Sequence, residues 1–159
     1  MWYCVFSSFI FLTNAIFSFI YSQYVIGMLW VVLCVTSIIY HSVRLANTSH
    51  LVNTYMIQRA NRQNKWLDIA YGFDIVATVV LVSYVLYIHF INMTQTNPTA
   101  YVIVTNIMIF SLLGYILFIY FYGKQIGDYC FHKNSHVAEK WHSTIHLSGS
   151  LAHHFMYLL

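Results

Sequence analysis

Five side chains in this sequence have the types and spacing to share one reaction. Ser37 and His41 stand four apart in the run Ser37-Ile-Ile-Tyr40-His41. His142 and His146 stand four apart in Trp141-His-Ser-Thr-Ile-His146, and Asp68 follows Trp66-Leu67. Residues at i and i+4 share one face of a helix, so each pair points one way. Three neutral imidazoles from two helices suit a tetrahedral zinc that keeps its fourth position for water. Two histidines four apart reach a single ion in helical zinc motifs generally. Zinc lowers the pKa of such a water toward about 7. Asp68 is placed to orient or deprotonate that water, and Ser37 to hold it, or a developing oxyanion, by hydrogen bonding. The expectation is a Zn2+ site with His41, His142 and His146 as ligands and Asp68 and Ser37 as catalytic groups. The competing reading is a set of unrelated polar residues snorkelling at a membrane edge.

Composition says what must position them. The chain has 159 residues, 60% hydrophobic and 7% charged, with a mean hydropathy of +0.65. A soluble domain of this size carries about a quarter charged residues, so this chain cannot cover itself with charge and lipid must be its solvent. A hydrocarbon core of ~30 Å needs about 20 apolar residues in a helix. Five runs meet that length: 2–21, 24–45, 66–91, 100–122 and 139–159. The expected fold is all-α, a polytopic transmembrane bundle of about five helices forming a single domain over 1–159. The first run lacks the basic leader and cleavage site of a secretory signal and reads as a retained helix.

The seven basic residues are Arg44, Arg59, Arg62, Lys65, Lys124, Lys133 and Lys140. All fall on one of the two alternating sets of helix ends. Basic short loops mark the cytoplasmic side, which places the N-terminus there, and no nucleic-acid partner is expected. The same set holds the end of the second helix and the starts of the third and fifth. Topology alone therefore brings His41, Asp68, His142 and His146 to a common depth, within about two turns of the surface.

A charged group at the bilayer centre costs roughly 2.5–3.5 kcal/mol on insertion scales, so the remaining polar residues need an assignment. Asn14, Asn106 and a few serines make the first and fourth helices look like packing elements. His153 reads as a helix-to-helix hydrogen-bonding residue, and His154 points elsewhere. Asp74 is about 120° round the helix from Asp68 and reads as a packing or supporting acid. His50, His89, His132 and His136 receive no role. Gly149, between Ser148 and Ser150, reads as a close-packing position. Cys4, Cys34 and Cys130 form no CxxC pair and read as buried free thiols. The polar segment 46–64 reads as a solvated loop, with a short interfacial helix as the alternative.

Taken together, Ser37-x-x-x-His41, Asp68 and His142-x-x-x-His146 resemble the signature of the CREST superfamily. That group includes alkaline ceramidases, progestin and adipoQ receptors and myomaker-like proteins. Ser-Ile-Ile-Tyr-His is similar to the family's second-helix ending, Lys-Trp-Leu-Asp-Ile to its third-helix opening, and Trp-His-Ser-Thr-Ile-His to the start of its last helix. The resemblance covers 24–91 and 139–159. It implies zinc held by His41, His142 and His146, with Asp68 and Ser37 around its water. The implied reaction is hydrolysis of a lipid amide or ester, the membrane lipid entering sideways from the bilayer. The family has seven helices, so this chain reads as a shortened five-helix member. Losing two adjacent helices preserves parity but opens one wall, which a second copy of the chain would close.

Two other functions compete with a lipid hydrolase. One is a non-catalytic CREST-fold protein acting as receptor, scaffold or membrane-remodelling factor. The other is a b-type haem electron carrier, since paired histidines on adjacent helices also ligate haem.

Overall fold

The computed structural model describes residues 2–53, 65–95, 97 and 99–157. Every regular element among them is helical. The order is α1 (Tyr3–Ser8), α2 (Ile10–Ile20), α3 (Tyr24–Asn53), α4 (Lys65–Gln95), α5 (Ala100–Leu117), a π-helical turn (Phe118–Tyr122), α6 (Gly123–Ile126), a 3-10 turn (Tyr129–Phe131) and α7 (Ser135–Met156). Four rods are long and apolar enough to cross a membrane: Tyr3–Ile20, Tyr24–Ala46, Lys65–Gln95 and Ala100–Ile126. The fifth, α7, has 22 residues, about 33 Å at 1.5 Å each. Four histidines and four hydroxyl residues between positions 142 and 154 keep it out of that apolar set.

The boundaries follow local chemistry. Ser22, at φ 59, takes the left-handed position that closes α2. The amide of Gln23 then donates to the Ser18 carbonyl at 2.7 Å, and that of Ser22 to Phe19 at 3.1 Å, the paired bonds of a Schellman ending. The second rod does not stop near residue 45 as expected. No glycine or proline interrupts 46–53, and α3 runs on through Asn53; the rest of the expected loop, with Arg59 and Arg62, lies outside the described residues. The last rod starts four residues before the expected 139, where the Asn134 side chain accepts from the His136 amide at 3.0 Å, a regular N-cap. Gly127, at φ 69, ends α6. Gly123 faces the chain that returns from that turn, and a Cβ there would meet the Asp128 carbonyl at 2.9 Å. This tight return carries Tyr129–Phe131 back against α7.

The first rod is the organising element. α1 and α2 pack against both α3 and α7, while α4 leans on α3 and α5 on α7. Cys4, Ser8, Phe11, Ala15 and Ser18, spaced at 4, 3, 4 and 3, are all buried, and small side chains on one stripe let helices approach closely. Below the polar groups lies an apolar core of Phe11, Ala15, Trp30, Leu33, Leu81 and Val85. The outer surface is apolar too: Phe6, Val25, Phe73, Ile107 and Phe110 are exposed, as suits a bundle whose solvent is hydrocarbon.

Three expectations about packing change here. Helix 1 is more than a packing element, because four of its polar side chains meet a partner on another rod. Ser7 and Ser18 reach α7, Ser8 reaches α3, and Asn14 accepts from Ser150 at 2.7 Å. His89 does have a partner: its Nε2 lies 2.9 Å from Asn106 Oδ1, tying α4 to α5. Asn106 spends its own amide on the Val102 carbonyl, so the imidazole donates. Gly149, finally, is not required for close approach, since a Cβ there would meet Ile116 Cδ1 at an ordinary 3.8 Å. Gly149→Ala is expected to leave the thermal midpoint unchanged, or to raise it by the equivalent of up to ~1 kcal/mol of helix propensity; a scanning-fluorimetry melt checks this.

Other assignments hold. Asp74 accepts from Thr36 at 3.3 Å between α4 and α3, and His153 bonds to Ser18 at 3.2 Å. All three cysteines are buried and free, with Cys4 donating to the Glu139 carbonyl at 3.3 Å.

Candidate metal centre

The three expected ligands converge. His41 hangs from α3, about three turns before that rod leaves the described residues, and His142 and His146 from successive turns of α7. Ring centroids are 5.0 Å apart for His41–His142, 5.3 Å for His41–His146 and 5.0 Å for His142–His146. One nitrogen from each ring lies within 4.8 Å of the other two, and His41 and His146 are buried. A tetrahedral site with Zn–N of about 2.05 Å has its nitrogens ~3.3 Å apart. Each ring nitrogen would therefore move inward by less than ~1 Å, a side-chain adjustment. The Nε2 of His41 is buried with no hydrogen-bond partner. Such an orphan costs about 1–3 kcal/mol, and a cation between the rings removes that cost. The donor set fits a divalent ion.

Helix 1 supplies an orienting contact that the sequence reading missed. Ser7 Oγ lies 2.9 Å from His146 Nδ1 and 3.1 Å from the Cys4 carbonyl, which also accepts from Ser8 at 2.7 Å. With its own proton on that carbonyl, Ser7 accepts from a protonated Nδ1. In that tautomer Nε2 keeps its lone pair for a metal. Metal-ligating histidines are commonly held this way, by a partner on the nitrogen that does not bind. Phe11, with its ring 5.0 Å from that of His146, backs the imidazole from the apolar side.

Ser37 lies one turn before His41 and is 1% exposed. Its Oγ is 3.0 Å from Ser8 Oγ, and Ser8 donates to the Cys4 carbonyl at 2.7 Å. Ser37 therefore donates to Ser8 and presents lone pairs elsewhere. It can accept from a water, but its proton is not available to an oxyanion unless the hydroxyl turns. Nor does Ser37 line the cavity next to the histidines.

That cavity has a volume of about 330 Å³ and is bounded by Tyr40, Arg44, Asp68, Tyr71, Tyr120 and His142, among others. Asp68 stands in the first turn of α4 and is exposed, so the acid and one imidazole share a wall. The tyrosines are a further group that the sequence reading passed over. The Tyr40 ring lies 4.8 Å from that of His41 and 5.4 Å from that of Tyr71. The Tyr71 and Tyr120 hydroxyls are 3.2 Å apart, bridging α4 to the π-helical turn. Arg44, first noted as a charge marking one membrane side, is three residues past His41 and so on its face. Cys130 also borders the cavity, where burial pushes its thiol up to about 11. It is not among the side chains close enough to share an ion, which are the three imidazoles. Comparison with protein-family models, with characterised proteins and with solved structures finds no match to this chain.

Proposed function

We propose that the chain is an intramembrane zinc hydrolase that cleaves a lipid amide or ester. The observation that carries this reading is the meeting of three ring nitrogens, from the second rod and α7, within 4.8 Å of one another. Bound there, zinc would supply Lewis acidity and a water activated near neutral pH. His41, His142 and His146 hold it, and Ser7 fixes the tautomer of His146. Asp68, which lines the same cavity as His142, takes a proton from the attacking water and returns it to the leaving amine or alcohol. Water adds to the carbonyl carbon, the C–N or C–O bond breaks, and a fatty acid leaves. The cavity admits a headgroup and the scissile bond but not whole acyl chains, which stay in the bilayer. The resemblance to the CREST superfamily points to the same ligand set. Residues 44, 65, 124 and 140 mark the triad's end as cytoplasmic, with the polar α7 as the fifth span. A second copy is the natural cover for the side that the missing helices leave open.

Two alternatives remain outcomes of experiment. A haem needs two imidazoles on opposite faces of a macrocycle, and here a third ring stands about 5 Å from both, in the macrocycle's path. That geometry disfavours the electron carrier. A non-catalytic relative would keep the zinc and lack turnover. Purified protein in detergent micelles, given ceramide and phosphatidylcholine separately, tests this. Chelator-sensitive fatty-acid release from one substrate class is the expected result; a folded, zinc-loaded protein that releases none from either is the non-catalytic case.

The Ser7 contact gives a quantitative check. Loss of an orienting partner on a metal-bound histidine typically weakens binding 10–100-fold. Ser7→Ala should therefore retain the fold and bind zinc about that much more weakly in a competitive chelator titration. Unchanged affinity would detach Ser7 from the site.

A further inference from the structure

A second polar group lies two turns farther along α7, on the same stripe as His146 but toward the opposite end of the bundle. His153 is 3% exposed, and its neighbours fix its tautomer. Ser18 Oγ donates to the Asn14 carbonyl at 2.7 Å and receives the Tyr157 hydroxyl at 2.7 Å. Its proton is spent, so it can only accept from His153 Nε2 at 3.2 Å. Nε2 therefore carries the ring proton, and Nδ1 is a bare acceptor, buried and without a partner. Two buried donors nearby are also unpartnered. One is the indole N–H of Trp30 on α3, whose ring lies 4.8 Å from that of His153. The other is the side-chain amide of Asn14 on α2, whose oxygen already accepts from Ser150. Each such orphan costs about 1–3 kcal/mol.

One acceptor and two donors, contributed by three helices, are what a water molecule complements. Buried waters typically make about three hydrogen bonds to groups left otherwise unsatisfied. A cavity of about 60 Å³ adjoins His153, with Gln23, His89, Asn92 and Tyr157 in its wall but neither Trp30 nor Asn14. It is large enough to admit water to the His153 side of the group. Among the described residues, the group of three or more His, Cys, Asp or Glu side chains close enough to share a metal is the His41–His142–His146 triad, and His153 is not part of it.

We propose that His153, Trp30 and Asn14 form an internal hydration site, reached from the cavity beside His153, in which water donates to His153 Nδ1 and accepts from the indole and amide N–H groups. It joins the first rod to α3 and α7 through solvent at the edge of the apolar core, to which the Trp30 ring also belongs. The inference is independent of what His41, His142 and His146 bind.

The test is water-edited solid-state NMR on the full chain in phosphatidylcholine bilayers, whose lipids carry no hydroxyl donor. Leu29-Trp30 is the one Leu-Trp step in the sequence, so paired labelling assigns Trp30 without a mutation. The Trp30 indole proton should receive magnetisation from water well before the backbone amides of Leu81 and Ile109, and His153 should show a protonated Nε2 with an unprotonated Nδ1. His153→Phe should abolish the early transfer if it folds; the wild-type spectrum decides the matter if it does not. Indole build-up as slow as that of Leu81, transfer from acyl-chain protons instead of water, or a protonated Nδ1 would each overturn the proposal.

Discussion

His146→Ala is expected to strip zinc from the purified protein, from about one ion per chain to none, and to abolish lipid hydrolysis with it. His146 is the ligand most firmly placed: buried on α7, backed by Phe11 and held through Nδ1 by Ser7. Two imidazoles alone leave an ion open to chelators and water. Metal content by elemental analysis, read beside a thermal melt, separates ligand loss from misfolding. An ion that binds only the folded state stabilises it by RT ln(1 + [L]/Kd), ~2.7 kcal/mol at a hundredfold excess over Kd. Added zinc should therefore raise the melting temperature of the wild type and leave that of the variant unmoved. Full zinc occupancy in a folded His146→Ala protein would remove the triad from consideration.

Asp68→Asn should have the opposite signature, with zinc retained and turnover lost. Positioned general acid–base groups contribute typically 10²–10⁴-fold, so kcat should fall by about that factor while KM changes little. Asn keeps the shape and loses the charge. Because Asp68 is exposed in the first turn of α4, the substitution removes no core contact and should cost little stability. The readouts are kcat and zinc content measured on the same sample. A variant with wild-type turnover would demote Asp68 to a cavity-wall residue and leave the proton to another group.

The rods and the site residues were legible for different reasons. Long apolar runs have one solution in lipid, a helix that satisfies its own backbone, and four such rods emerge close to their expected positions. The meeting of His41, His142 and His146 followed from parity, because an i, i+4 pair points one way and alternate helix ends share a side. What stayed hidden was lateral: which rod lies against which. Ser7, Ser8, Asn14 and Ser18 look like incidental small polar residues in an apolar run, and their partners are 29 to 139 positions away. The signal that would have found Ser8 and Ser18 is the 4-3-4-3 spacing of Cys4, Ser8, Phe11, Ala15 and Ser18, a packed face rather than scattered serines, with Ser7 and Asn14 one position beside it. Ser37 was located correctly on the face of His41, but the direction of its hydroxyl depends on Ser8, which spacing within one helix cannot reveal. Gly149 misled in the other direction, since small size permits close approach without requiring it.

Zinc K-edge X-ray absorption on the purified wild-type protein is the most direct measurement. Three imidazole nitrogens at about 2.0–2.1 Å with one oxygen completing the shell is the predicted spectrum. A sulfur shell at about 2.3 Å, or a well-folded protein that takes up no zinc, would contradict it.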